Sequence, residues 1–343
     1  MRRRIFVTGS LLALAAAWGA RARAGRRATG APSGADRLPD GRILVRDAAV
    51  AFGTTVSIAA VGDDPGAAAE ATAEALDRIR GVDSLMTVYR RDSQVGRLNA
   101  EGVLSRPDRH LVRVLEFSKR LSALSDGAFD VTVQPLWRLF VACRAAGRRP
   151  SPDEVAAARS LVDWTALEVT PRRVALGRRG MQITLNGVAQ GYAADLAMDA
   201  LRQRGIRDAL LDAGELGAEG ERQPHRPWTV GIQHPRVHDA VIATVAMDGR
   251  FLATSGDYAT AFSEDLADHH IFDPRTGRSP PGLSSAAVAA ASGMEADGLT
   301  KPMMVLELAR ARALLARFDG AGAIWMDKRG RVVASERMPP GAG

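Results

Sequence analysis

One cysteine in 343 residues, Cys143, excludes an internal disulfide and any thiolate metal cluster. No obvious base sits beside it in the chain, so it reads as a small buried residue rather than a nucleophile. Membrane-spanning hydrophobic runs are missing as well. The apolar stretch Leu11 to Trp18 is too short to cross a bilayer as a stable helix, and no other stretch reaches that length. A lasting excess of basic charge is also absent. The formal charge is +7, but Arg2, Arg3, Arg4, Arg21 and Arg23 fall in the first 24 residues, which hold no acid. Without that segment 41 basic residues face 39 acidic ones, and the electrostatic case for a nucleic-acid partner disappears. Beyond residue 42 there is no internal repeat and no low-complexity tract. With 46% apolar residues the chain can bury one large core or two intermediate ones.

What is present begins with an export pattern. Arginines 2 to 4, the short apolar run and Ala20-Arg21-Ala22-Arg23-Ala24 have the charged start, apolar centre and Ala-x-Ala end of a signal peptide, here ending at Ala24. Arg3-Arg4-x-Phe6 resembles a twin-arginine signal, which implies export of a folded protein to the periplasm. An uncleaved anchor is the competing reading. Residues 25–42, rich in Gly, Arg and Pro, are expected to be a disordered leader. Residues 43–335 are expected to form the soluble domain, and 336–343 a C-terminal tail.

Within the domain, strands are expected at Ile43 to Arg46 and Thr54 to Ala60 around the turn-like Phe52-Gly53, the second alternating through Val56, Ile58 and Ala60. Helices are expected over Ala67 to Ile79, Arg109 to Ser125, Pro152 to Leu161 with Ser151 as cap, and Ala189 to Arg204 closed by Gly205. Met86 to Asn99 reads as a short strand entering a Ser-started turn or helix, and Trp164 to Thr184 as two or three short strands. Further strands are expected at Ala209 to Leu211, Trp228 to Ile232, Val241 to Met247 and Phe251 to Thr254. Val305 to Leu315 reads as helical, with Ala323 to Met326 and Val332 to Ala334 as a closing hairpin. Grouped strands between helices indicate an α+β fold with mixed or antiparallel sheets flanked by helices.

Chemistry concentrates in Thr254-Ser255-Gly256-Asp257-Tyr258 and the following His269-His270-Ile271-Phe272-Asp273-Pro274-Arg275-Thr276-Gly277. Hydroxyls, a carboxylate and an imidazole beside flexible glycines suit a phosphate-bearing ligand. Ile271 to Gly277 reads as a strand end running into a turn, in which Asp273 locks the geometry. His270 can donate to phosphate oxygens or relay a proton, while strand alternation turns His269 to the opposite face. The Asn186-Gly187 step permits a close backbone approach, and the helix beginning near Ala189 aims its positive end at any bound phosphate. Tyr89 offers an apolar face and a hydroxyl suited to a ring-binding slot.

Five pieces occur in one order: Met86-x-x-Tyr89-x-x-x-Ser93-x-x-x-x-Leu98-Asn99, Gly127-Ala128-Phe129-Asp130-x-Thr132-x-x-Pro135-Leu136, Leu185-Asn186-Gly187-Val188-Ala189-Gln190-Gly191-Tyr192-Ala193-x-Asp195, the Thr254 to Gly277 block, and Ala296-Asp297-Gly298-Leu299. Together they resemble the FAD:protein FMN transferases, the ApbE-like periplasmic flavin transferases, over about residues 43–335. The Leu-Asn-Gly-x-Ala-Gln-Gly-Tyr version is similar to the subset associated with nitrous oxide reductase maturation. The resemblance implies an ApbE-like fold. It implies cleavage of the FAD pyrophosphate, transfer of FMN through a phosphoester to a Thr or Ser hydroxyl of a partner, and release of AMP. Flavin-bearing domains of membrane redox complexes are the implied recipients. Phe52, Tyr89, Ala128, Phe129, Asp130, Thr184, Gln190, Thr254 and His270 are the implied FAD contacts, with His270 and Asp297 the candidates for chemistry. Mg²⁺ would be held by the Gly187 carbonyl and Asp297.

The sequence departs from the family at charged positions. Thr184 replaces the usual Asp and Gln190 the usual Lys. The position four residues after Asp297, a Thr in the family, is Lys301, which cannot ligate a cation while protonated. Thr300 lies about 100° away around a helix, and Pro302 disturbs the turn. Lys301 could replace the ion, the turn could shift so that Thr300 serves, or transfer could be lost with flavin binding retained. The expectation adopted is a weakened Mg²⁺ site on Asp297 and Gly187. An FAD-binding accessory protein and an FAD pyrophosphatase are the rival functions.

Overall fold

A computed structural model describes residues 34–339 and Gly341. The expected signal peptide and residues 25–33 of the expected leader lie outside these residues. The frame is a nine-stranded sheet whose strands, counted for this sheet alone, are β1 (Ala35–Arg37), β2 (Ile43–Ala51), β3 (Thr54–Gly62), β4 (Asp208–Asp212), β5 (Leu216–Glu219), β6 (Phe251–Gly256), β7 (Leu283–Ala290), β8 (Gly322–Asp327) and β9 (Val332–Ala334). They lie side by side in chain order, and every neighbouring pair is antiparallel. The expected α+β class with antiparallel sheets and flanking helices is what the chain adopts. Strand β1 corrects the expected leader, because residues 35–37 pair in register with Val45 to Ile43 rather than remaining disordered.

The helices are α1 (Pro65–Met86), α2 (Gln94–Glu101), α3 (Arg109–Leu124), α4 (Gln134–Ala145), α5 (Pro152–Arg159), α6 (Ala189–Gln203), α7 (Gly293–Val305) and α8 (Leu308–Leu315). None among the described residues is long and apolar enough to cross a membrane. Several follow directly from their caps. Asp64 accepts from the N–H groups of Gly66 and Ala67 at the start of α1, and Ser151 with Glu154 forms a reciprocal capping box on α5.

Strand alternation divides the apolar side chains between two cores. Val45, Val56, Ile58, Ala60, Phe251, Ala253, Ala286 and Val288 join the core that also holds α1, α6 and α7, while Leu44, Val61, Leu252, Ala287 and Ala289 join the core that holds the strand pair Thr229–Gln233 and Val241–Ala246. Burying each larger aliphatic chain contributes roughly 1.5–3 kcal/mol. A third, smaller core joins Leu136 and Phe140 of α4 to Val155 and Phe272. Cys143 is buried on α4, in keeping with its reading as a packing residue.

Three expectations need correction. No strand runs through Met86, since α1 continues to that residue, while the expected Ser-started helix is α2, where Ser93 accepts from Gly96 N–H at 2.8 Å. Val305 to Leu315 is not one helix, because α7 ends at Val305 and α8 begins at Leu308 after an extended Leu306. Ile271 to Gly277 is a loop, locked as expected by Asp273, whose carboxylate accepts from Arg275 N–H at 3.0 Å while its carbonyl accepts from Gly277 N–H at 2.8 Å.

Candidate active site

Two glycines bring the third motif into register with the fifth. Helices α6 and α7 cross with Gly191 against Gly293. A Cβ on either would overlap the other's carbonyl oxygen, so no larger residue permits this approach. Asp195, one turn further along α6, accepts from the N–H groups of Gly293 at 2.5 Å and Met294 at 3.0 Å, two donors that the first turn of α7 cannot satisfy internally. Burial holds this carboxyl up at about 6 against those two hydrogen bonds. The crossing fixes Asp297, on the next turn of α7, beneath the start of α6.

Between these helices, the β2–β3 hairpin and the loops after β6 lies a cavity of about 650 Å³, a volume typical of sites that enclose a ligand. Phe52, Ala128, Phe129, Asp130, Thr184, Gly187, Gln190, Thr254, His270 and Lys301 all line it, so ten residues singled out by sequence come from five separate segments to one wall. Phe52 sits in the left-handed region with φ of 53°, followed by Gly53 at 74°. Such a two-residue hairpin turn favours Asn-Gly, and a bulky residue at its first position stores strain that places an aromatic ring at the cavity edge.

Tyr89 is the exception. It is 72% exposed in the loop between α1 and α2 and does not line the cavity. The ion pair of Arg90 with Asp92 and the bonds of Ser93 Oγ to the carbonyls of Thr87 and Arg90 shape that loop, and local chemistry alone could not disclose its direction. The tyrosine at the cavity is Tyr258, with Trp137 and Phe272 as further aromatic walls. Sequence reasoning quoted Tyr258 and Phe272 without assigning them, and passed over Trp137 and Glu215.

The electrostatics are those of a partly dry site. Asp130 accepts from Thr132 N–H and Oγ1 and from Trp164 N–H, yet burial raises its carboxyl to about 6. Burial, with the neighbouring His269 and Lys301, lowers His270 to about 4, so its ring is neutral at ordinary pH. Its Nδ1 lies 3.3 Å from the carbonyl of Thr260, which can only accept; Nδ1 is therefore protonated, and the Nε2 lone pair is left for a ligand. His269 is fully buried and off the cavity wall. Asp257 does not reach the cavity: it is buried in a bidentate pair with Arg236 at 2.8 and 2.6 Å.

Lys301, Asp297 and Glu215 form the floor. Lys301 Nζ is paired with Asp297 Oδ1 and donates to the Asp297 carbonyl at 3.1 Å, while Gly191 N–H donates to the other carboxylate oxygen at 3.1 Å. Asp297 is fully buried, and Lys301 alone of the pair reaches the cavity. Glu215 is buried beside them with one carboxyl oxygen lacking a partner. Burial and the Asp297 charge push its pKa well above the usual range. Thr300 faces away, bonded to Ser255 Oγ at 2.7 Å and donating to the Asp297 carbonyl.

This donor set does not fit Mg²⁺, which needs near-octahedral oxygen ligation. Both oxygens of Asp297 are engaged, the Thr300 hydroxyl is committed elsewhere, and an ammonium stands against the carboxylate. The arrangement favours the first of the three readings, with the Lys301 ammonium beside Asp297, over a metal held by Asp297 and Gly187 or by Thr300.

Residues 52–325 match the model of the ApbE family. The chain is 31% identical over 294 residues to a FAD:protein FMN transferase of Salmonella typhimurium, covering 81% of this chain and 83% of that one. Among solved structures it is similar to the flavin transferase ApbE from Vibrio cholerae, with a TM-score of 0.74, 26% identity and coverage of 86% and 98%. It is also similar to the apo flavinyl transferase ApbE of Pseudomonas stutzeri, with a TM-score of 0.73, 29% identity and coverage of 86% and 96%.

Proposed function

The chain belongs to the ApbE family, and from that premise we propose that it transfers FMN from FAD to a hydroxyl of a partner protein. The observation that carries the reading is the convergence of residues from five segments on one cavity large enough to enclose much of a dinucleotide. In the reaction, the Thr or Ser oxygen of the acceptor forms a bond to the FMN phosphorus. The bond from that phosphorus to the bridging oxygen breaks, AMP leaves with that oxygen, and the hydroxyl proton is released. Phe52, Phe129 and Tyr258 supply apolar walls, and Thr254, Thr184 and Gln190 neutral hydrogen-bonding groups. His270, neutral with Nε2 as an acceptor, is the group suited to take the hydroxyl proton or to orient the oxygen that carries it. Enclosure by low-polarity walls strengthens every charge acting on the phosphates.

The proposal extends to a flavin-accepting domain of a membrane redox protein as recipient, and to the periplasm, reached by way of the N-terminal segment, as the place of reaction. Cell fractionation tests the second point. Incubating the protein with FAD and a domain carrying an acceptor Thr, then weighing the domain, tests the first. A gain of one FMN is expected. Free FMN and AMP without that gain would establish a pyrophosphatase, and bound FAD without AMP a carrier.

The lowered pKa of His270 makes a separate prediction. The ring holds no proton at neutral pH and takes one only as the pH falls through about 4. The transfer rate should accordingly carry no limb from this residue between pH about 5 and 8, where an ordinary histidine titrates. A pH–rate profile that loses a limb near the ordinary histidine value in His270→Gln would contradict this.

A further inference from the structure

We infer that the ammonium of Lys301, seated on Asp297, is the resident cation of this site, so that the pyrophosphate of FAD is held and its charge offset without a divalent metal. This rests on FAD being the ligand. Three features of the floor support it independently of one another.

The first is accommodation. Lys301 lies four residues after Asp297 on α7, and its stem passes over Gly187: a Cβ there would lie 2.8 Å from Lys301 Cε and 3.3 Å from Cδ. Only a residue without a side chain leaves this path to the carboxylate. The second is valence. An ammonium carries three donors, of which two meet the carboxylate and the carbonyl of Asp297. The third is left for a ligand, and Lys301 reaches the cavity where Asp297 does not. The third feature is the surrounding charge. Glu215, buried with an unpartnered oxygen, lines the same cavity, and the Lys301 charge bears on it as well as on Asp297. A freely rotating lysine would turn to solvent; this one is 21% exposed. Gln190 does not duplicate the role. It is uncharged, and its amide donates to the Ala213 carbonyl at 3.1 Å.

The experiment measures FAD affinity of the purified protein by flavin fluorescence and by calorimetry, first with EDTA and then with excess Mg²⁺. The wild-type protein is expected to bind FAD equally in both and to give no calorimetric signal with Mg²⁺ alone. Lys301→Met should weaken FAD about tenfold or more in either buffer. Lys301→Thr, which restores an oxygen at that position, should bind FAD only when Mg²⁺ is supplied. A wild-type protein that loses FAD in EDTA and regains it with Mg²⁺ overturns the inference, and so does a folded Lys301→Met that binds FAD as the wild type does. The wild-type comparison stands even where a variant fails to fold. Absence of FAD binding in both buffers would instead remove the FAD reading on which the inference rests.

Discussion

Gly191→Ala is expected to lower the unfolding free energy by about 3 kcal/mol or more, at or beyond the upper end of what overpacking a core costs, and to abolish FAD binding with it. The added Cβ would overlap the Gly293 carbonyl oxygen and approach Asp297 Cβ to 2.7 Å. Neither neighbour can move alone. The carbonyl belongs to the first turn of α7, which Asp195 and Ser292 both cap, and Asp297 is anchored by Lys301. Helix α7 must therefore shift as a body, taking Asp297 away from the Gly191 N–H that donates to it. Gly81→Ala is the control. It is exposed on α1 with nothing within 4 Å of its Cβ, so the same substitution should stabilise by about 0.5–1 kcal/mol. Urea unfolding of both variants measures the difference. A Gly191→Ala protein as stable as wild type would mean that the two helices do not cross this closely.

The same crossing shows what a sequence discloses and what it withholds. Helix α6 was legible because Ala193, Ala197 and Leu201 keep an apolar face and Gly205 closes it at φ of 79°. The closing hairpin of β8 and β9 was legible from two short β-forming runs about a turn. Strand β7 went unrecognised for a physical reason. It is buried on both faces, and its run Ala286-Ala287-Val288-Ala289-Ala290 has no polar–apolar alternation and a single strong β-former, Val288. Helix α4 was missed because its apolar side chains face the small third core, with exposed Val141 and Trp137 at the cavity blurring the pattern.

At the site, backbone-dictated residues were readable: Gly187, Asn186 and the turn at Phe52 announce themselves through conformational need. Directions were not. Tyr89 and Tyr258 are chemically alike, and only the tertiary course of their loops sends one to solvent and the other to the cavity. Glu215 had no local signature, since what makes it unusual is the nearness of Asp297 and Lys301 from a distant segment.

Those three residues also give the second large effect. Lys301→Met is expected to cost about 3–5 kcal/mol, because it leaves the Asp297 carboxylate buried with a single backbone donor. Asp297→Asn should cost less, about 1–3 kcal/mol, since the amide oxygen can still accept from Gly191 and the freed ammonium can turn into the cavity. The asymmetry follows from exposure: the carboxylate has no route to water, and the ammonium has one. The double variant removes both charges together and should be more stable than Lys301→Met alone, with a coupling of about 1–3 kcal/mol. The cation is absent from both Lys301→Met and the double variant, but only Lys301→Met keeps the Asp297 charge against Glu215, so the recovery should grow as the pH rises through the raised titration range of that carboxyl. Denaturant unfolding of the four proteins at two pH values closes the cycle. Equal costs for the two single variants would mean that Asp297 reaches solvent and that the pair is an ordinary surface contact.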